Sequence, residues 1–197
     1  EYTGGKLHIP TISSAKSVTL IKEAKKKGLQ VTCSVAAHHL VLTDNELHSF
    51  DSNFKTTPPL RTHQDIKALQ KGIKSGAIDI ITSDHNPIDI EHKKVEFSEA
   101  KDGLIGLESA FGVVNSVLGL EDLISCMTTK PKEIFGIKNY SIQEGNIADI
   151  SLFNPKETSI FKKENILSTS KNSAFINKKI QGKVYGIFAN NQLILNL

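Results

Sequence analysis

Apolar positions recur at two different spacings along this chain. Leu7-His8-Ile9 opens a short strand pattern over residues 6–9. Ser13 or Ser14 can cap a helix running to about residue 27, with Val18, Ile21 and Ala24 along one face. Gly28 follows as a helix-ending glycine. Leu29, Val31, Cys33 and Val35 then alternate with the two-residue period of a strand. Residues 43–61 lose periodicity and contain Thr57-Pro58-Pro59-Leu60, which no regular helix accommodates. Helical spacing returns over 63–75 with Ile66, Leu69 and Ile73, closed by Gly76. Residues 78–81 predict a strand, with Thr82-Ser83-Asp84-His85 at its C-terminal end. Leu107, Ala110, Phe111, Val114 and Val117 predict a helix, and a helical pair spans about 120–135 with Pro131 in a first turn.

The pattern changes near Tyr140. Residues 149–153 and 183–188 read as strands, and Asn190-Asn191 before 193–195 reads as a hairpin turn with its return strand. The strand-helix alternation predicts a parallel α/β sheet with crossover helices over residues 1–140. Residues 141–197 read as a portion of a small β domain. Three strands end in polar loops: Ile9 into Thr11, Val35 into His38, and Ile81 into Asp84. Such strand ends are where α/β folds gather their sites. Three or four βα units are too few to close an eight-stranded barrel, so the sheet is either open or part of a larger whole.

Composition narrows the picture. The 197 residues carry a formal net charge of +3 and suit one domain, or one with an appendage. No apolar run approaches the roughly 18 residues of a membrane span, so no membrane association is expected. Glu1-Tyr2-Thr3-Gly4-Gly5 has no initiator Met and does not resemble a signal peptide; it reads as a cut end. Cys33 and Cys126 form no CxxC pair and are expected as reduced, buried thiols of a cytoplasmic protein. Lys25-Lys26-Lys27 falls at a helix end, where cations suit the dipole. No interleaved aromatics accompany it, so no nucleic-acid partner is expected.

The strand-end and loop motifs carry the chemistry. Leu7-His8-Ile9-Pro10-Thr11-Ile12-Ser13-Ser14-Ala15 is similar to LHIxHxSTA, and 31–40, VTCSVAAHHL, to VTxEVxPHHL. Phe54-Lys55-Thr56-Thr57-Pro58-Pro59-Leu60-Arg61 is similar to FKxNPPLR, and 78–88, IDIITSDHNPI, to IDxIxTDHAPH. Gly103-Leu104-Ile105-Gly106-Leu107-Glu108 is similar to GIIGLE, and Glu144-Gly145-Asn146-Ile147-Ala148-Asp149-Ile150 to the point where amidohydrolases re-enter their small β domain. In this order and at this spacing, the six motifs resemble the C-terminal half of a class I dihydroorotase of the amidohydrolase superfamily. The resemblance implies the last βα units of a metal-dependent (β/α)8 barrel plus part of a β-sandwich. It also implies zinc and hydrolysis or closure of the cyclic amide of dihydroorotate in pyrimidine biosynthesis.

By that resemblance, Asp84 matches the family's metal-binding and proton-shuttling Asp. A carboxylate can ligate a cation and take a proton from its bound water. Asp102 and Gly103 match positions whose backbone touches substrate. Three matching positions depart from the family. Thr11 stands where the family has a zinc-ligating His, and a neutral hydroxyl is a poor zinc ligand. Thr57 stands for a substrate-binding Asn, whose amide offers a donor and an acceptor together. Ile88 stands for a substrate-contacting His and cannot hydrogen-bond through its side chain. Ser34 and Lys101 also replace a family Glu and Pro, and the first metal motif, HxH, occurs nowhere in the 197 residues.

His38, His39 and His85 are expected first in structural roles and second as ligands. His8 is expected to be packed or hydrogen-bonded, and His48, His63 and His92 to lie on the surface. Arg61 is expected in a salt bridge and Glu108 to pair with a neighbour on its helix. Two functions follow. One is a divergent cyclic amidohydrolase acting on a small-molecule cyclic amide, with zinc reduced or lost. The other is a non-catalytic homologue serving as a structural or regulatory partner, for example of aspartate transcarbamoylase. A homo-oligomer or a partner-enzyme subunit is expected in either case.

Overall fold

The computed structural model describes residues 1–196. Its first sheet holds β1 (Leu7–Ile9), β2 (Val31–Ala36) and β3 (Ile80–Thr82), in that order and all parallel. Helices α1 (Ala15–Lys26) and α2 (His63–Lys74) make the crossovers. Ser14 caps α1 by accepting from the Ser17 amide, and Gly28 at φ 77° ends it. Thr62 and Asp65 form a capping box on α2, and the same Asp65 accepts from the Ala15 amide at 2.8 Å. One carboxylate thus ties the starts of both helices together.

The alternation over 29–35 marks a strand, but not one with a wet face. Cys33, Ser34, Val35 and Ala36 are all buried. Cys33 and Val35 pack with Val18, Ile21, Leu69 and Ile73 of the crossover helices, while Ser34 on the opposite face meets the Thr11 amide, so period-two polarity loses its meaning there. The strand expected at 78–81 is shifted to Ile80–Thr82, because Ile78 and Asp79 serve as its lead-in: the Asp79 amide donates to the Cys33 carbonyl at 3.1 Å. The aperiodic stretch 43–61 contains two 3-10 turns, Asp44–Ser49 and Ser52–Phe54, and the Thr57–Pro58 peptide is cis.

Two helical expectations need correction. Leu107 lies outside the helix α4 (Ala110–Asn115) and is 64% exposed, in the turn that precedes it. The expected pair over 120–135 is one continuous helical run: α5 (Leu120–Ile124), a π turn over Ser125–Thr129, and α6 (Lys130–Phe135). The Lys130 amide reaches five residues back to the Ser125 carbonyl. Pro131 has no N–H to give, and a widened turn just before it absorbs the gap in the ladder. A short helix, α3 (Ile90–Lys93), lies in the loop after β3.

The second sheet is antiparallel: β4 (Ile150–Ile160), β5 (Lys179–Ala189) and β6 (Gln192–Leu195). Asn190 and Asn191 both have positive φ, 51° and 59°, as a two-residue hairpin turn requires. This unit is docked on α4. Gly112 and Gly182 leave room for Ile180 and Phe111 at the contact, and the Asn115 amide group donates to the Pro155 and Gln181 carbonyls. A hydrophobic core containing Leu104, Ile105 and Val113 also includes Phe161, Ala174, Phe175 and Ile180, so packing runs continuously across position 141.

Candidate active site

The C-terminal ends of β1, β2 and β3 lie along one edge of the parallel sheet. Two residues there adopt the left-handed backbone that non-glycine residues rarely take: Thr11 at φ 49° and Asp84 at φ 47°. The Thr11 turn is pinned from β2. Its amide donates to Ser34 Oγ at 3.0 Å, and the Ile12 amide donates to the Ser34 carbonyl at 2.9 Å. Ser34 is buried, and its hydroxyl oxygen finds this partner inside the fold.

His38 and His39 sit in a 3-10 turn, Ala37–Leu40, directly after β2. Their rings lie 4.2 Å apart between centroids. His39 Nε2 donates to the Pro58 carbonyl at 3.0 Å and so supports the proline loop from below. Burial pushes its pKa down to about 4. His38 is 1% exposed, and neither of its ring nitrogens has a hydrogen-bond partner. Its Nε2 faces Asp84 Oδ2 at 3.9 Å. Burial, with His39 beside it, holds His38 well below the usual imidazole range. The pair is therefore a neutral ring facing a carboxylate, rather than an ion pair. Asp84 is 37% exposed at its side chain, and partial burial raises its pKa.

Of the residues expected on the substrate side, Thr57 and Asp102 meet each other. The Thr57 hydroxyl donates to the Asp102 carboxylate. Asn86 Nδ2 donates to the Asp102 carbonyl at 3.3 Å, and the Gly103 amide donates to the Lys55 carbonyl at 2.9 Å. Gly103 has φ 126° and is packed so closely on Asn86 that a Cβ there would collide with it. The Ile88 amide donates to Asn172 Oδ1 at 3.2 Å. A cleft of about 790 Å³ beside Ile88 is lined in part by Ser52, Lys93, Lys171 and Asn172. Thr11, Thr57, Asp84 and Asp102 lie outside that lining.

His85 turns away from metal chemistry: its Nδ1 accepts from the Gly106 and Leu107 amides at 3.2 and 3.3 Å. Glu108 pairs with no neighbour on its own helix. It lies in the turn before α4, and its Oε1 accepts from the Ser168 amide and hydroxyl. Arg61 has no acidic partner among the described residues; its Nε donates to Ser13 Oγ at 3.4 Å, so the expected salt bridge is not formed. Lys25 is not simply a cation at a helix end, because it is ion-paired with Asp79 at 2.7 Å. His8 bonds Thr32 Oγ1 at 2.8 Å and packs its ring on Phe135, while His48, His63 and His92 are exposed. Cys33 and Cys126 are free, buried thiols.

Asn172, Asn86, Ser168 and Lys93 were not visible as site-building residues in the sequence. Lys93 is buried and donates to the Ser52 and Lys101 carbonyls, which fixes the chain just ahead of Asp102. No periodicity marks such residues; a run of polar residues gives no sign of which one is buried.

Among the described residues, no three His, Cys, Asp or Glu side chains come together as metal ligands. Near Asp84 the geometry offers one imidazole, His38, and at Thr11 only a hydroxyl. By themselves these residues do not fit a zinc centre, which takes three or four nitrogen, sulfur or carboxylate donors.

Parallel βα units with polar strand ends and an appended antiparallel β unit define an amidohydrolase-type fold. The sequence matches the amidohydrolase family over residues 3–190, and the chain belongs to that family. It is 42% identical over 189 residues to the dihydroorotase of Endomicrobium trichonymphae, covering 92% of this chain and 45% of that protein. It is 42% identical over 188 residues to the dihydroorotase of Thermoanaerobacter sp. (strain X514), covering 92% and 43%. The chain thus spans less than half the length of these curated relatives. The L-hydantoinase of Arthrobacter aurescens has the same fold with a TM-score of 0.91 at 24% identity, over 99% of this chain and 46% of that one. An inactive dihydroorotase-like domain of a Chaetomium thermophilum CAD-like multifunctional protein superposes with a TM-score of 0.71 at 20% identity, over 95% and 50%. The expected fold, C-terminal units of a (β/α)8 barrel with part of a small β-sandwich, is the observed one. No helix among the described residues is long and apolar enough to cross a membrane.

Proposed function

We propose that this chain is the C-terminal portion of a dihydroorotase-like cyclic amidohydrolase whose metal-dependent turnover is lost or much reduced. The observation that carries this reading is the pair of strand ends at Thr11 and Asp84. Both hold the strained backbone of a site, yet only Asp84 presents a group able to handle a proton or a cation. Its raised pKa lets it retain a proton more readily than a free carboxylate. Zinc, the metal the resemblance implies, would meet a hydroxyl at Thr11 where the family has imidazole. On the substrate side, Thr57 is engaged by Asp102 and Ile88 offers only its backbone. Each polar contact a cyclic amide loses in a closed site costs on the order of 1–3 kcal/mol. Buried Cys33 and Cys126 suit the reducing cytoplasm.

The test is metal content and dihydroorotate turnover on one sample of the protein in its natural full length. Fewer than two zinc ions per chain and weak or absent turnover are expected. Two zinc ions with clear turnover would overturn the proposal. The combined variant Thr11→His, Thr57→Asn, Ile88→His should raise both metal content and turnover.

A second reading rests on what is kept. Pro58, Pro59, Gly103 and Gly106 still shape the turns while ligand and substrate side chains have changed, as suits a partner subunit held for its surface. It predicts a stable complex, with aspartate transcarbamoylase as the first partner to try by co-purification.

A further inference from the structure

We propose that Asn172 is the positioning residue for the substrate-facing rim of the candidate site, so that the C-terminal β unit sets ligand affinity. This rests on the reading of Asp102–Gly103 and Ile88 as that rim. Asn172 belongs to the segment between β4 and β5 and is 5% exposed. Its Nδ2 donates to the Asn86 carbonyl at 3.1 Å and the Gly103 carbonyl at 3.3 Å. Its Oδ1 accepts from the Ile88 amide at 3.2 Å, and its own carbonyl accepts from the Ile105 amide at 3.0 Å. One residue therefore ties the loop after β3 to the loop before α4.

Only a carboxamide on a one-carbon stem meets this demand. It supplies two donors and an acceptor at once; a carboxylate has no donor, and a glutamine's extra methylene moves the amide off these partners. The residue is itself held firmly. The Lys171 ammonium donates to the Ile166 and Ser168 carbonyls at 2.7 and 2.8 Å, and Ser168 is anchored to Glu108. Asn86 passes the constraint on, since its side chain donates to the Asp102 carbonyl. None of these bonds reaches Asp84 or His38. Asn172 therefore acts on how tightly a ligand is gripped, and not on proton handling.

The test uses the natural full-length protein with Asn172→Asp and Asn172→Leu. Asn172→Asp keeps the acceptor for the Ile88 amide but turns both donors into a carboxylate oxygen facing carbonyls. It should raise KM for dihydroorotate, or Kd measured by calorimetry where turnover is weak, roughly ten-fold or more, with kcat within about three-fold. Amide exchange at Ile88 should stay slow in Asn172→Asp and become fast in Asn172→Leu. Unchanged affinity in Asn172→Asp, or a loss confined to kcat, would overturn the proposal. If the wild-type protein does not bind dihydroorotate, the functional reading falls, and exchange at Ile88 still decides the positioning role: equal protection in all three proteins overturns it. If Asn172→Leu does not fold, the affinity of Asn172→Asp against wild type carries the decision.

Discussion

The two ends of the parallel sheet are built on opposite principles. At the N-terminal end, the Lys25 ammonium donates to the Gly76 and Ala77 carbonyls and to both oxygens of Asp79, at 2.7 to 3.1 Å. Asp79 also accepts from the Cys33 amide at 2.9 Å. Lys25 and Asp79 are matched to each other, and α1, β2 and the lead-in to β3 are locked together. At the C-terminal end, His38 has two unpartnered buried nitrogens, and Asp84 makes no hydrogen bond to a protein group among the described residues. Thr11 and Asp84 also hold left-handed backbones. Unmet polar groups and backbone strain cost stability, and folds keep them where chemistry or binding needs them. The sheet thus has a stability end and a candidate-site end, as α/β barrels do.

The sharpest test of this contrast is Gly106→Ala. Gly106 is where the site end is packed hardest: an added methyl would collide with the Ser83 carbonyl oxygen, a backbone atom that cannot swing aside. Destabilisation of about 3 kcal/mol is expected, read as a drop in denaturation midpoint. Acid should act almost as strongly through the buried histidines. His38 and His39 are held neutral, with folded pKa values below the ordinary 6.5, and that of His39 is about 4. Between those limits the unfolded chain binds more protons, so stability is present above pH 6.5 and falls as the pH drops toward 4. His39 alone contributes on the order of 3 kcal/mol to that loss. In His39→Asn, urea titrations across this range should show a flatter pH dependence.

Asp79→Ala should cost about 2 kcal/mol, because it strips Lys25 of its counter-charge and leaves the Cys33 amide without an acceptor. Asp84→Asn, at the other end, should instead stabilise the fold at neutral pH, by less than about 1 kcal/mol because water screens the half-exposed group. A carboxyl with a raised folded pKa is least costly while protonated, so the gain should fade as the pH falls and the wild-type acid becomes neutral. Equal destabilisation by Asp79→Ala and Asp84→Asn would erase the distinction between the two ends.

The strand-helix alternation and the turn residues were legible because they are local. Gly28, Gly76 and Asn190-Asn191 mark backbone conformations that few other residues tolerate, and each lies where a turn was expected. Local pattern misleads where tertiary contact outweighs it. Leu107 fits a helical face but lies in a turn that His85 holds by two backbone amides. Glu108 reads as a helix-surface residue, yet its partner is Ser168, sixty residues away. Asn172 had no signal, because one polar residue in Ser168-Thr169-Ser170-Lys171-Asn172 looks like the next until burial separates them.

Sequence alone determined the family, the order of the elements and the residue types at the strand ends, including the hydroxyl at Thr11 and the carboxylate at Asp84. These follow from chain-local periodicity and from the chemistry of single side chains. Only the tertiary structure decided which polar groups find partners. It placed His38 beneath Asp84, Thr57 against Asp102, and Asn172 between the two rim loops. Hydrogen-bond satisfaction depends on distance and burial between residues far apart in the chain, and no local pattern encodes that.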